Sequence, residues 1–189
     1  MLTPASCAID KNGWLNGAGI LMPSPNFNQR PEGAVPSLLV IHNISLPPNE
    51  FGGGNIECFF TNQLDCSKHP YFETIRDLEV SAHCLISREG KFTQFVSFDD
   101  RAWHAGQSCF EGVENCNDFS IGIELEGSDH KAYTSKQYQS LAAITKLVMQ
   151  RYPLITSDRI VGHSDIAPVR KTDPGPAFDW AKYRGLICT

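Results

Sequence analysis

Ser37-Leu38-Leu39-Val40-Ile41-His42 is an unbroken apolar run that closes on an imidazole. Continuous rather than alternating hydrophobicity is the pattern of a strand covered on both faces. His42 then stands at the end of that strand, beside the polar, Pro-containing loop from Asn43 to Pro48, and strand ends beside loops are where sites are usually built. Outward from this run, Ala82-His83-Cys84-Leu85-Ile86-Ser87 and Phe92-Thr93-Gln94-Phe95-Val96 flank the turn Arg88-Glu89-Gly90-Lys91, a hairpin signature. Phe119-Ser120-Ile121-Gly122-Ile123-Glu124-Leu125-Glu126-Gly127 and Arg159-Ile160-Val161-Gly162-His163 read as two further strands, the second also closing on a histidine.

Between those two strands lies the strongest helical signal. Thr134 and Gln137 have capping-box spacing, Tyr138, Leu141, Ala142, Val148, Met149 and Tyr152 recur on one face, and Pro153 stops the helix. A shorter helix is expected after Pro176, around Phe178 to Arg184, with Trp180 and Tyr183 against the core. Strands and helices interleave without a regular βαβ period. The expected fold is therefore α/β in the broad sense, of mixed α+β character: one domain over residues 1–189 with a central mixed sheet flanked by helices. Pro47-Pro48 and Gly52-Gly53-Gly54 mark loops, too short to be domain linkers.

The net charge of -5 argues against a general polyanion binder, so nucleic acid is not an expected partner. No window approaches the ~18 apolar residues of a membrane span, and Met1-Leu2-Thr3-Pro4-Ala5-Ser6-Cys7 lacks the cationic start and apolar stretch of a secretory signal. Seven cysteines, an odd number without a C-x-x-C pair, fit neither a disulfide framework nor a cysteine metal site. Together these features predict a cytoplasmic protein with reduced thiols.

Neutral imidazole and carboxylate are good zinc ligands, and a catalytic zinc site typically takes three of them. His42 and His163 are candidates by position, although a single histidine is more often structural. Asp173, in Lys171-Thr172-Asp173-Pro174-Gly175, is a third candidate, although a lone Asp before Pro is more often a turn or capping residue than a ligand. Glu124 lies inside a strand, where it is either a buried general base or one of two carboxylates, with Glu126, that alternation sends to a solvated face. Lys171 would bring a cation close to a metal held by Asp173, or lies in solvent.

Six blocks in order carry a resemblance: Val40-Ile41-His42-Asn43, Ser81-Ala82-His83-Cys84-Leu85-Ile86, Ala102-Trp103-His104-Ala105-Gly106, Asn117-Asp118-Phe119-Ser120-Ile121-Gly122-Ile123-Glu124, Gly162-His163-Ser164-Asp165-Ile166-Ala167-Pro168 and Arg170-Lys171-Thr172-Asp173-Pro174-Gly175. Over residues 35–183 the chain resembles the zinc N-acetylmuramoyl-L-alanine amidases, more narrowly the branch that acts on 1,6-anhydromuropeptides in wall recycling. The resemblance implies the fold shared by bacteriophage T7 lysozyme and the peptidoglycan-recognition proteins. It implies Zn2+ held by His42, His163 and Asp173, catalysis by Glu124 and Lys171, and muropeptide contacts at Asn43, Trp103, Ala167 and Arg170. His104 is expected to be structural or to support a ligand. Glu79 and Asn115 stand near places where basic residues for the peptide carboxylates are expected. The implied partner is a small soluble muropeptide met by a monomer, and members of this branch affect β-lactamase induction by removing signalling muropeptides. Three rival functions are a metal-free peptidoglycan-binding module, an amidase of the intact wall, and a hydrolase using Cys84 or Cys116.

Overall fold

The computed structural model describes residues 7–17 and 19–188. Met1 to Ser6, which carry most of the expectation of a chain without a secretory signal, lie outside the described residues. Among the described residues a six-stranded sheet organises the chain. Its strands are β1 (Ile20–Leu21), β2 (Leu38–Ile44), β3 (Cys84–Ile86), β4 (Phe92–Gln94), β5 (Ser120–Glu126) and β6 (Ile160–Gly162), standing in the order β6-β2-β5-β3-β4-β1. β6, β2, β5 and β3 are mutually parallel, β3 and β4 form the expected antiparallel hairpin, and β1 lies parallel to β4. This is a mixed sheet, as the interleaved pattern requires.

The central pair explains the apolar runs. All seven residues of β5 are buried, as are the first five of β2, because helices or loops cover both faces. Helix α3 (Ser135–Arg151) packs Tyr138, Leu141, Ile144 and Val148 into the core that the sheet shares with α5 (Trp180–Ile187). The capping box at its start is complete: Gln137 N–H donates to Thr134 Oγ1 and Thr134 N–H donates to Gln137 Oε1, each at 3.1 Å. Tyr183 of α5 is fully buried, its hydroxyl 2.7 Å from Thr145 Oγ1. No helix among the described residues is long and apolar enough to cross a membrane, and the described cysteines are unpaired.

Several expectations shift. β2 runs on to Ile44, so His42 lies two residues inside the strand rather than at its end. The C-terminal helix starts later and ends later than residues 178–184, because Asp179 caps it by accepting the Lys182 N–H at 2.9 Å. Beyond the loops marked by Pro47-Pro48 and Gly52-Gly53-Gly54 the chain forms α1 (Asn55–Phe60) and then α2 (Pro70–Glu73). Ile56, Phe59, Phe60 and Phe72 of these helices build a second apolar cluster with Phe95 and Val96. Gly52, Gly53 and Gly54 all have positive φ, between +74° and +82°, which only glycine adopts three times running at low cost. One more short helix, α4 (His163–Ile166), begins on the second candidate ligand.

Candidate metal centre

Parallel pairing places the candidates side by side. Glu124 of β5 stands in register with His42 of β2, so both side chains leave the same face of the sheet. The third element arrives from β6: Gly162 ends the strand and His163 opens α4. A Cβ on Gly162 would sit 2.7 Å from Pro174 Cδ, so the missing side chain lets the segment carrying Asp173 close against β6. That approach is fixed by the Ser164 N–H donating to the Asp173 carbonyl at 2.9 Å.

His42 Nδ1, His163 Nδ1 and Asp173 Oδ2 converge. The two nitrogens are 2.9 Å apart and each lies 3.1 Å from the carboxylate oxygen. Ligand atoms ~2.0 Å from a tetrahedral zinc stand about 3.3 Å from one another, so the spacing suits a small cation. Tautomers supply an independent test. His163 Nε2 faces the Ala105 carbonyl at 3.0 Å, and a carbonyl only accepts, so that nitrogen carries a hydrogen and Nδ1 is the one left to face the cluster. That nitrogen stands 2.9 Å from a second imidazole nitrogen and beside a carboxylate, a convergence of three donor atoms into which a cation fits. Electrostatics agree. Burial lowers His42 to about 4 against the opposing pull of Asp173, keeping it neutral at physiological pH. Burial alone would raise Asp173, but hydrogen bonds with His163 and His42 hold it far below the usual carboxylate range. Imidazole nitrogens together with an ionised carboxylate are the donor set zinc takes.

These three groups form one side of a cleft of about 390 Å3, also lined by Glu124, Lys171, Asn43, Trp103 and His104. Glu124 is 9% exposed and its Oε2 has no hydrogen-bond partner. Burial, reinforced by Asp173 and opposed by Lys171, pushes its carboxyl well above the usual range. A buried, partnerless carboxyl beside a cation site has the properties of a general base held ready for a proton. The alternative of a solvated pair is overturned: Glu126 is also buried, at 5%, with Oε1 accepting the Gly52 N–H and Oε2 the Arg88 N–H, the latter at 2.8 Å. Glu126 thus ties down the loop whose Ser45, Leu46 and Pro48 form part of the cleft wall.

Of the expected muropeptide contacts, Asn43 and Trp103 line the cleft. Asn43 donates to Asp129 Oδ1 at 2.9 Å, and Trp103 Nε1 donates to Asn28 Oδ1 at 2.7 Å. Ala167 and Arg170 do not line it: Ala167 is buried, and the Arg170 guanidinium donates to the carbonyls of Ala105 and Gln107 at 2.6 and 2.8 Å. Cys84 and Cys116 are buried away from the cleft lining and burial raises both thiols, which removes the thiolate a cysteine nucleophile needs. Behind the histidines sits a residue with no sequence signal, Arg30. It donates to the carbonyls of Asn117 and Asp118 at 3.1 Å, Phe98 at 3.3 Å and Ser120 at 2.8 Å. Burial lowers it to about 10, which leaves it a cation at neutral pH.

Comparison with known proteins gives the family of the chain. A family model described as N-acetylmuramoyl-L-alanine amidase matches residues 32–176. The 1,6-anhydro-N-acetylmuramyl-L-alanine amidase AmpD of Citrobacter freundii is 58% identical over 175 residues, 93% of this chain and 92% of that protein. The crystal structure of a selenomethionine AmpD derivative superposes with a TM-score of 0.91 at 57% identity, covering 94% of this chain and 98% of that one. The amidase AmiD of Escherichia coli, in complex with anhydro-N-acetylmuramic acid-L-Ala-D-gamma-Glu-L-Lys, superposes with a TM-score of 0.59 at 27% identity, over 96% of this chain and 66% of that one. On the match to more than half of its length and on these relatives, the chain belongs to the N-acetylmuramoyl-L-alanine amidase family.

Proposed function

We propose that this protein is a zinc amidase that hydrolyses the amide between 1,6-anhydro-N-acetylmuramic acid and the L-alanine of soluble muropeptides. The observation that carries this reading is the convergence of His42, His163 and Asp173 in one cleft with Glu124 and Lys171. Support for the substrate class comes from AmpD, named for that activity at 58% identity, and from the anhydromuramyl peptide bound to AmiD.

In this mechanism His42 Nδ1, His163 Nδ1 and Asp173 Oδ2 hold the metal. When bound, zinc supplies Lewis acidity toward the amide carbonyl and lowers the pKa of water to about 7. Glu124 takes the proton of the attacking water, since its free oxygen has no competing donor, and returns that proton to the nitrogen of L-alanine as the C–N bond breaks. Lys171, on the cleft wall beside Asp173, steadies the negative charge that builds on the carbonyl oxygen. Asn43 and Trp103 contact the muropeptide from the wall, while Arg170 braces the carbonyls of Ala105 and Gln107. The cleft is complete within one chain, which supports a monomer as the working unit. Unpaired cysteines support a reducing, cytoplasmic setting, where the substrate is fragments rather than intact wall.

The test offers purified protein soluble 1,6-anhydromuropeptide and intact sacculi side by side, with and without chelator. Peptide release from the soluble substrate, lost on chelation and restored by zinc, is the expected result. Release from sacculi alone overturns the substrate assignment. Absence of bound metal by elemental analysis, with muropeptide binding retained, overturns the amidase in favour of a recognition module.

A further inference from the structure

Each ligand imidazole is held from behind by one of two adjacent residues. His163 Nε2 meets the Ala105 carbonyl at 3.0 Å, and His42 Nε2 meets His104 Nδ1 at 2.9 Å. We infer that the dipeptide His104-Ala105 is the positioning clamp of the metal centre, making both imidazoles turn a bare Nδ1 toward the same point.

The two halves of the clamp differ in kind. A carbonyl can only accept, so Ala105 leaves His163 one tautomer. His104 can face either way. If its Nδ1 accepts, His42 carries its hydrogen on Nε2 and Nδ1 is free to ligate; His104 then donates from Nε2 to Ser120 Oγ, 3.1 Å away. If the ring runs the other way, His42 carries its hydrogen on Nδ1, which points at His163 and fills the ligand position. His104 with Ser120 as its acceptor therefore determines whether His42 is a ligand at all.

The surroundings are built for this ring. β5 has a glycine beneath it: a Cβ on Gly122 would lie 2.4 Å from His104 Cγ and 2.5 Å from Nδ1. Behind it, His83 makes an edge contact with the ring, the centroids 5.6 Å apart. His83 is itself locked, Nδ1 accepting the Gly122 N–H at 3.0 Å and Nε2 facing the Asp100 carbonyl at 3.2 Å. The clamp's backbone is pinned by one side chain, buried Asn117, whose Oδ1 accepts the N–H groups of both His104 and Ala105 at 3.1 and 2.8 Å.

The inference rests on the zinc reading above, and the test keeps the two apart. Zinc affinity of the chelator-stripped protein is measured by competition with a chromogenic chelator for wild type, His104→Ala and His104→Asn, with circular dichroism to confirm folding. Asn places its amide oxygen near the position of Nδ1, so it keeps the acceptor for His42. His104→Ala should weaken zinc binding about 10- to 100-fold and His104→Asn should recover most of that loss. Long-range 1H–15N spectra of the zinc-loaded wild type should show His42 protonated on Nε2. Should His104→Ala not fold, Ser120→Ala gives the same readout with a loss of about two- to tenfold. Wild-type affinity in folded His104→Ala, an Asn variant as weak as Ala, or unchanged affinity in Ser120→Ala overturns the inference. Failure of wild type to bind zinc overturns the reading beneath it instead.

Discussion

Replacing Glu124 with glutamine should raise stability and abolish turnover, two effects of opposite sign from one atom exchange. The carboxyl is 9% exposed with one oxygen unpartnered. Ionising such a buried, partnerless carboxyl costs at least about 1–3 kcal/mol, and in a domain of this size each kcal/mol moves the melting temperature by about 2–4 °C. Glu124→Gln keeps the shape and removes the ionisation, so it should melt about 2–12 °C above wild type near neutral pH. The sign follows from the direction of the shift: burial raises the folded pKa above the unfolded value of about 4.3, so stability is full below that pH and is lost as pH rises toward the folded pKa. The gap between variant and wild type should therefore open above about pH 4.3 and close below it. Thermal melts of both chelator-treated proteins across pH read this difference, and titrations common to both cancel. Loss of the base should lower kcat about 10²- to 10⁴-fold, or about 2.7–5.4 kcal/mol of barrier, with zinc content unchanged. Wild-type turnover in Glu124→Gln would remove Glu124 from the chemistry. A variant that melts lower at every pH would show that the carboxyl is not buried at a cost.

Lys171→Met removes the cation beside Asp173 and should lower kcat about 10²- to 10³-fold with zinc affinity little changed, read by steady-state kinetics beside metal titration. Glu126→Gln turns one of two acceptors into a donor facing an N–H, freeing the glycine loop; KM should rise while kcat holds, and protease cleavage should increase between residues 49 and 54. Gly175→Ala meets a backbone at φ +78° and a Cβ position 2.3 Å from Asp129 Cα, so the Asp173 segment must move. It should destabilise the fold by about 1–3 kcal/mol and weaken zinc binding, both measurable without substrate.

The parts of the fold visible in the sequence were those whose pattern depends on local repetition. The apolar run that became β2, the hairpin β3–β4 and the capped α3 declare themselves by continuity, turn chemistry and 3.6-residue spacing. Helices α1, α2 and α4 do not, because segments of six, four and four residues hold too few turns to show a period and are helical through burial of Phe60 and Phe72 or through the approach of Pro174. Within the site, His42 and His163 were legible from apolar runs leading into polar loops, whereas Asp173 and Lys171 depended on the family resemblance. Whether Glu124 and Glu126 face solvent stays open in the sequence, because alternation says which residues share a face and not whether that face is covered. Arg30 gave no signal, since its partners are backbone carbonyls supplied by residues 98–120.

Arg30 also bears on where this enzyme begins. The family match starts at residue 32, yet the four carbonyls that Arg30 satisfies border the rear of the histidine cluster, on the side away from the cleft. A chain trimmed to the family boundary would keep His42, His163, Asp173, Glu124 and Lys171 and lose the arginine behind them. His83, whose Nε2 stands 3.3 Å from the Arg30 guanidinium and whose ring contacts His104, would lose that cover. The matched stretch is thus shorter than the structure around the candidate site, part of whose back wall is supplied from upstream of it.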